Sequence, residues 1–261
     1  MDNINAILVD KFLVWLLVFV RMSSIFVVTP VFGRREVPSY LKIGFAFFCS
    51  YILVPLIGDI QLEYSNLLSF AVIIGKEFLV GIVIGYVSFL VFSALYVAGQ
   101  IIDMQIGFGM VNVLDPTMNT QVPITGNFIY ILTTLFFLLI DGHHVLLSAL
   151  FKSYSVLPID GFVFTEVMVN NIANVFTDVF VIGFKISVPV IAAVMLAEVA
   201  LGILSKTVPQ MHVFVVGMPL KIGIGILTLY VIMPAFVKIM TVTFDRMYGY
   251  IYLIIRSMAK G

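Results

Sequence analysis

The side chains best suited to chemistry stand together at Asp141-Gly142-His143-His144, where a carboxylate lies beside two imidazoles. These groups could in principle bind a transition metal. Adjacent residues on a helix point in different directions, however, and no other cluster of His or carboxylate residues stands at ligand spacing in the sequence. We therefore interpret the segment as a polar junction between two apolar helices, and we predict no metal site and no cofactor.

Familiar catalytic motifs are missing from the sequence. It contains no HExxH, no GxSxG and no Walker phosphate loop, and its single cysteine, Cys49, lies in an apolar run. We therefore predict that the protein is not an enzyme and has no catalytic residues. Any driving force for its function must then come from partners.

The composition is that of a membrane protein. Of the 261 residues, 62% are hydrophobic and only 11% are charged, whereas a soluble domain of this length needs a far larger charged surface. Basic and acidic residues balance at fourteen each, and the chain has no basic tail or patch. The sequence thus gives no support to nucleic-acid binding.

A glycine-rich segment, residues 99–127, has the most informative pattern in the chain. It contains no Lys or Arg and lies between two long apolar runs. Glycines free its backbone and X-Pro pairs interrupt it, so it is too broken for a simple membrane span. Non-helical backbone at membrane depth must be shielded from lipid. We expect the segment either to pack inside protein or to line a passage.

The apolar side chains in this segment suit a deformable seal. Met104, Met110 and Met118 lie in it, with a phenyl ring at Phe108. Flexible thioethers and a phenyl ring on mobile backbone can close on one another and yield to a passing chain.

The elements around this segment are predicted to be helices. Apolar stretches of helical length, some long enough for two helices, occupy residues 12–32, 41–58, 67–98, 128–157, 172–204 and 213–237. The predicted fold is therefore an all-α integral membrane protein with about six long, kinked helical segments.

Lone charges interrupt several of these apolar stretches. They are Arg21, Lys76, Glu77, Lys185, Glu198 and Lys221. A charge at the bilayer centre costs at least about 2.5 kcal/mol, so these helices should face protein or water. Any one of these charges could snorkel or pair inside an ordinary bundle. Together they favour a helix layer buried in an assembly, where they would take part in subunit packing.

Four motifs, in order, resemble the FliR/SctT family of type III export-gate proteins. The glycine-rich segment GQIIDMQIGFGMVNVLDPTMNTQVPITGNF is similar to the family signature, as are the opening RxS...PVFG...VP and the segments FFLLIDGHH and PQMHVFVVGMPLKIGIG. The resemblance covers essentially the whole chain. His212 departs from the family pattern, which commonly has an amide residue there. MQIGFGM with DPTMNTQVP is more similar to the flagellar branch than to the injectisome branch.

The resemblance implies an architecture in two parts. A FliP-like region would occupy residues 1–171, and a FliQ-like helical hairpin with a C-terminal tail would occupy residues 172–261, turning at residues 205–212. A plug loop would fall on residues 106–121, with Gly107 and Gly109 as hinges and Phe108 and Met110 as the obstruction. Further plug and framing residues would be Met118, Asp103, Asp115, Pro116 and Pro123.

The resemblance also implies a function. The chain would join FliP and FliQ, with FlhB and FlhA as further partners, in the bacterial inner membrane at the flagellar basal body. Together they would form the channel through which unfolded flagellar proteins are exported, and the plug loop would seal it when closed.

Other functions are compatible with the residue pattern. An injectisome export-gate homologue is one of them. A multi-span solute transporter would use Asp103, Asp141 and Glu198 as coupling carboxylates, and it predicts matched inverted halves, of which the sequence shows no convincing repeat. In a purely structural scaffold, the loop would only fill space.

Overall fold

A computed structural model describes residues 2–34, 36–58, 60, 62, 64–108, 123–208 and 213–259, and these residues are almost entirely helical. Seven helices lie within them: α1 Asp2–Val28, α2 Ser39–Ile57, α3 Leu67–Ile106, α4 Ile124–Leu139, α5 Gly142–Val156, α6 Glu166–Thr207 and α7 Val213–Met258. Pairing of β type in these ranges is limited to one isolated bridge, between Phe162 and Ala259. The predicted all-α class is confirmed.

Most of the helices are long enough to cross a membrane. Five of them, α1, α2, α3, α6 and α7, have the length and hydropathy of membrane spans. The successive helices α4 and α5 meet this criterion as a broken pair. The predicted break at the polar junction around Asp141 is therefore confirmed.

Turn-forming residues mark several helix ends. α2 begins directly after Pro38 and ends before Gly58, whose φ is 84°. α3 ends before Gly107, whose φ is 98°. Both glycines have a positive φ, a backbone conformation that other residues adopt at a cost.

Most of the helices extend beyond the apolar stretches that predicted them. The largest extensions are at α1, which starts at Asp2, at α3, which continues to Ile106, at α6, which starts at Glu166, and at α7, which continues to Met258. The part of α7 beyond residue 237 contains Lys238 and Arg246. Lysine and arginine are good helix formers, although charged residues are not typical of membrane spans. Hydropathy therefore located the helices and underestimated their length.

The chain divides into two compact units. The first comprises Met1–Leu90, Asp141–Phe176 and Arg246–Gly261. In this unit α1 packs against α3, where a Cβ atom at Gly81 would overlap the side chain of Ser24, and one at Gly85 would lie 3.2 Å from the carbonyl oxygen of Ile25. The Gly81 and Gly85 pair thus permits a close approach of two helix backbones.

The second unit comprises Val91–Ile140 and Thr177–Asp245. Its interior contains an aromatic cluster of Phe92, Phe137 and Phe244, whose ring centroids lie 5.1 to 5.6 Å apart. This unit also holds the end of α3 and the start of α4, which flank the glycine-rich segment.

Candidate functional site

The first side of the candidate site is the C-terminal end of α3. The amide groups of Gly107 and Phe108 both donate to the carbonyl oxygen of Asp103, each over 3.1 Å. The bond from the amide of Phe108, which spans five residues, is typical of a helix that ends with a left-handed residue. Gly107 is that residue. Its φ of 98° is a backbone conformation that favours glycine.

The second side is the N-terminal end of α4, which the Asp103 side chain caps. Pro123 precedes the helix and supplies no side-chain cap. Instead both carboxylate oxygens of Asp103 accept from the amide of Thr125 at 3.0 Å, and Oδ2 also accepts from the amide of Gly126 at 3.3 Å. Asp103 is only 5% exposed. A buried carboxylate at a helix N-terminus satisfies free amide groups and interacts favourably with the helix dipole.

Two glycines bring the two helices into backbone contact next to this cap. A Cβ atom at Gly99 of α3 would overlap the backbone of Gly126 at the start of α4, coming within 2.6 Å of its amide nitrogen. No larger residue fits at Gly99 without a shift of the backbone. We call the contact of Gly99 with Gly126, together with the Asp103 cap, the loop anchor. The loop anchor holds the chain together on both sides of residues 109–122.

The structure places some of the predicted loop residues at the loop anchor. Asp103, Gly107 and Phe108 lie at the end of α3, and Pro123 lies at the start of α4. Phe108 is half-buried. The other predicted residues, Gly109, Met110, Asp115, Pro116 and Met118, fall outside the part of the chain that the structure describes, so their roles stay predictions.

Sequence reasoning named Asp103 but missed what it does. The signal was available, because residues 78–114 contain one carboxylate, Asp103, and α4 starts after Val122-Pro123, which offers no capping side chain. A helix in an apolar setting needs an acceptor for its first amide groups. Asp103 is the acidic residue in that stretch that can provide it.

A buried ion pair, Arg21 with Glu77, lies in the first unit. Both side chains are fully buried, and the guanidinium donates to the two carboxylate oxygens from Nε at 2.5 Å and from Nη2 at 3.0 Å. Nη1 of Arg21 also donates to the hydroxyl of Ser153 at 3.2 Å and to the carbonyl of Leu157 at 3.0 Å. The guanidinium carbon lies 4.1 Å from the ring centroid of Tyr154. This network joins α1, α3 and α5.

The other lone charges are more exposed in the single chain. Lys76 pairs with Asp160 and Lys221 pairs with Glu198, each over 2.5 Å and with 30% to 45% of each side chain exposed. Lys185 is also exposed. Arg21 and Glu77 satisfy each other within the chain, and the predicted role of all six charges in subunit packing stays a prediction.

The polar junction is more compact than the spacing argument indicated. The ligand atoms of Asp141, His143 and His144 all lie within 4.8 Å of one another. Adjacent positions on a regular helix would point apart, but Asp141 precedes α5 with a left-handed backbone, φ of 55°. The structure thus brings together three groups that helical spacing predicted to be separate.

Comparison with known proteins identifies the family. A family model described as "Bacterial export proteins, family 1" matches residues 12–247. "Flagellar biosynthetic protein FliR" of Bacillus subtilis (strain 168) is 40% identical over 233 residues, covering 87% of this chain and 88% of the relative. The chain belongs to the FliR family of bacterial export proteins. The expected family is therefore confirmed.

Other members of the FliR family align over nearly the same length. "Flagellar biosynthetic protein FliR" of Aquifex aeolicus (strain VF5) is 28% identical, covering 90% of both chains. "Yop proteins translocation protein T" of Yersinia pestis is 30% identical, covering 84% of this chain and 85% of the relative. With its membrane-length helices, FliR family membership identifies the chain as a membrane-embedded component of the flagellar export apparatus.

Proposed function

We propose that this chain is a subunit of the flagellar export gate, forming with FliP and FliQ counterparts the channel for unfolded flagellar proteins. FlhB and FlhA are its further proposed partners, and the bacterial inner membrane at the flagellar basal body is its proposed location. In this proposal the plug loop, residues 106–121, closes the channel when no substrate is present. The observation that carries the proposal is the loop anchor.

The loop anchor suits a seal because it fixes the chain on both sides of residues 109–122. Asp103 ties the end of α3 to the start of α4 through three hydrogen bonds. Gly107, two residues before residue 109, has a positive φ, a backbone conformation that favours glycine. Movement of the loop therefore needs no rearrangement of α3 or α4. A chain passing through could displace Phe108 and the methionines, which would close again afterwards.

The proposed two-part architecture also has support. The last two helices, α6 and α7, are 42 and 46 residues long and are joined by the short segment of residues 208–212. Two long successive helices are what a FliQ-like hairpin in residues 172–261 requires. The partly exposed pair of Lys221 on α7 and Glu198 on α6 would be covered by neighbouring subunits.

The test of the seal is ion leakage through the gate in cells. The chain is co-expressed with its FliP and FliQ counterparts, either intact or lacking residues 107–118, and co-purification establishes that both versions assemble. We expect leakage only from the deletion. Equal tightness of both assembled gates would overturn the seal.

A matched pair of substitutions separates sealing from loop length. Met110→Leu with Met118→Leu keeps two large apolar side chains in the loop and should leave the gate tight. Met110→Ser with Met118→Ser keeps the same length but removes apolar volume, and it should make the gate leak. Leakage from both pairs alike would mean that shape rather than apolar character makes the seal.

The second candidate is an injectisome gate subunit, which the similarity to the Yersinia pestis protein favours. Complementation discriminates the two candidates. Expression of this chain in a flagellated strain that lacks its own FliR should restore motility, and expression in a secretion-deficient injectisome strain should not restore secretion. The reverse result would favour the injectisome candidate.

A further inference from the structure

The junction before α5 collects three metal-binding groups. Asp141 precedes the helix, and His143 and His144 lie in its first turn. Their ligand atoms all fall within 4.8 Å of one another. The two imidazole rings lie with their centroids 4.3 Å apart and their planes tilted by 40°. Two imidazoles and a carboxylate are a common ligand set for zinc and related divalent ions.

The backbone that carries these groups is held in place. The carbonyl oxygen of Asp141 accepts from the amide of His144 at 2.9 Å and from the amide of Val145 at 3.2 Å. The carbonyl oxygen of Gly142 accepts from the hydroxyl of Tyr248 at 3.3 Å. These hydrogen bonds fix the backbone of Asp141 and Gly142, where α5 starts. The side chains then need only small rotations to change their separation.

Two polar groups of this cluster lack a hydrogen bond that their position would normally provide. Asp141 occupies the N-cap position, where an aspartate normally accepts a hydrogen bond from the helix, yet its side chain makes no cap hydrogen bond. Nδ1 of His143 is buried and has no hydrogen-bond partner in the described part of the chain. A buried polar atom without a partner is costly, and a bound ion is one explanation for it.

We propose that Asp141, His143 and His144 form a binding site for a divalent transition metal of the zinc class. Ligand atoms around a tetrahedral zinc ion lie about 3.4 Å apart, so the side chains would close by at most about 1.4 Å from a spacing of up to 4.8 Å. His144 and Asp141 are exposed and can make this rotation. Three protein ligands leave a fourth position for water or for a group from another chain. Calcium and magnesium bind oxygen ligands and would not compete at this site.

A metal bound here would stabilise the start of α5. It would connect the left-handed Asp141 to the first turn of the helix and would bind only the folded form. The site lies in the first unit, whereas the loop anchor lies in the second. The proposal therefore does not depend on the sealing function.

Metal titration of the full-length chain tests the site. The chain is purified in detergent with an affinity tag that lacks histidine, and is titrated with Co²⁺ and Zn²⁺ by visible absorption and calorimetry. We expect one ion per chain with a Kd of about 10 µM or tighter. The Co²⁺ form should show visible bands of a low-coordinate site, and Zn²⁺ should raise the thermal unfolding temperature.

Four variants locate the ion. His143→Gln and His144→Gln should each weaken binding by at least about tenfold, because each removes a ligand. Asp141→Asn keeps a residue that tolerates the left-handed backbone and should weaken binding less. His212→Gln changes the third histidine of the chain, outside the described residues, and serves as the matched control with unchanged binding. Circular dichroism checks that helix content is preserved, and the exposed His144 provides a test even if His143→Gln misfolds.

Three results would overturn the proposal. They are no saturable binding by the intact chain up to about 100 µM metal, equal binding by the intact chain and the His144→Gln variant, and loss of binding in the His212→Gln control alone. The second and third results would place the ion elsewhere. None of them bears on whether the gate is tight.

Discussion

At the scale of single residues, Asp103 has two roles at the loop anchor. Its carbonyl oxygen ends α3 and its carboxylate starts α4. Both roles depend on hydrogen bonds of fixed geometry and not on movement of the Asp103 side chain. Asp103 therefore fixes the end of α3 through its carbonyl oxygen and the start of α4 through its carboxylate, independently of the side chains that residues 109–122 carry.

Loss of the Asp103 carboxylate should loosen the loop anchor. Asp103→Ala leaves the amide groups of Thr125 and Gly126 without their acceptor, and a lost cap costs about 1 kcal/mol. We expect a lower thermal unfolding temperature and a measurable ion leak, with Asp103→Asn intermediate because one amide oxygen remains. The exposed Asp245→Asn variant is the control. A tight and fully stable Asp103→Ala gate would contradict the role of the anchor.

The buried pair of Arg21 and Glu77 should behave as a unit. Arg21→Met leaves a buried carboxylate without its partner, which typically costs about 3–5 kcal/mol. Adding Glu77→Leu removes that charge and should restore much of the stability. The recovery should be incomplete, since the carbonyl of Leu157 and the amide of Asp160 also lose partners. Thermal unfolding of the two single variants and the double variant measures the coupling, and additive losses would contradict it.

Residue types were easier to predict than residue contacts. The sequence singled out Arg21 and Glu77 as lone charges in apolar stretches, and the structure pairs them across 56 positions. No local pattern specifies such a distant partner. The convergence of Asp141 with His143 and His144 was missed for a different reason, because a regular helix was assumed where Asp141 is left-handed.

At the scale of helices, glycine positions decide how closely the elements approach. Gly81 lies against the Ser24 side chain and the Arg21 backbone, whereas Gly44 of α2 has nothing within 4 Å of an added Cβ atom. The same substitution should therefore act in opposite directions at these two sites.

Alanine at Gly81 should destabilise the protein and alanine at Gly44 should not. Gly81→Ala forces α1 and α3 apart, and overpacking of this kind costs about 1–3 kcal/mol. Gly44→Ala should be neutral or stabilising by up to about 1 kcal/mol, because alanine favours the helix. Thermal unfolding in detergent compares the two. Equal effects would show that α1 and α3 do not depend on close contact at Gly81.

The helices themselves were largely predictable, but their ends were not. Long apolar runs locate every helix because spanning a bilayer requires them. They do not show where a helix stops in water or in protein. α7 continues through Lys238 and Arg246 to Met258, because charged residues are compatible with a helix wherever the helix need not be apolar to lie in the bilayer.

At the scale of the whole molecule, composition and motif order predicted the family, and the family model confirms it. The partner surfaces were not predictable in the same way. Large exposed apolar residues cover α6 and α7, among them Leu196, Val199, Leu227 and Val231. Such residues face lipid and neighbouring membrane subunits equally well, so hydrophobicity alone does not discriminate between the two.

Site-specific crosslinking tests whether the plug loop, as proposed, lies in the path of the exported chain. A cysteine is placed at Met110 in a Cys49→Ser background, an export substrate is stalled in the assembled gate, and a short thiol crosslinker is added. A second chain with cysteine at the exposed Phe164 is the control. We predict a crosslink to the stalled substrate from Met110→Cys and none from Phe164→Cys. Efficient stalling without any crosslink from Met110→Cys would show that the loop does not lie in that path.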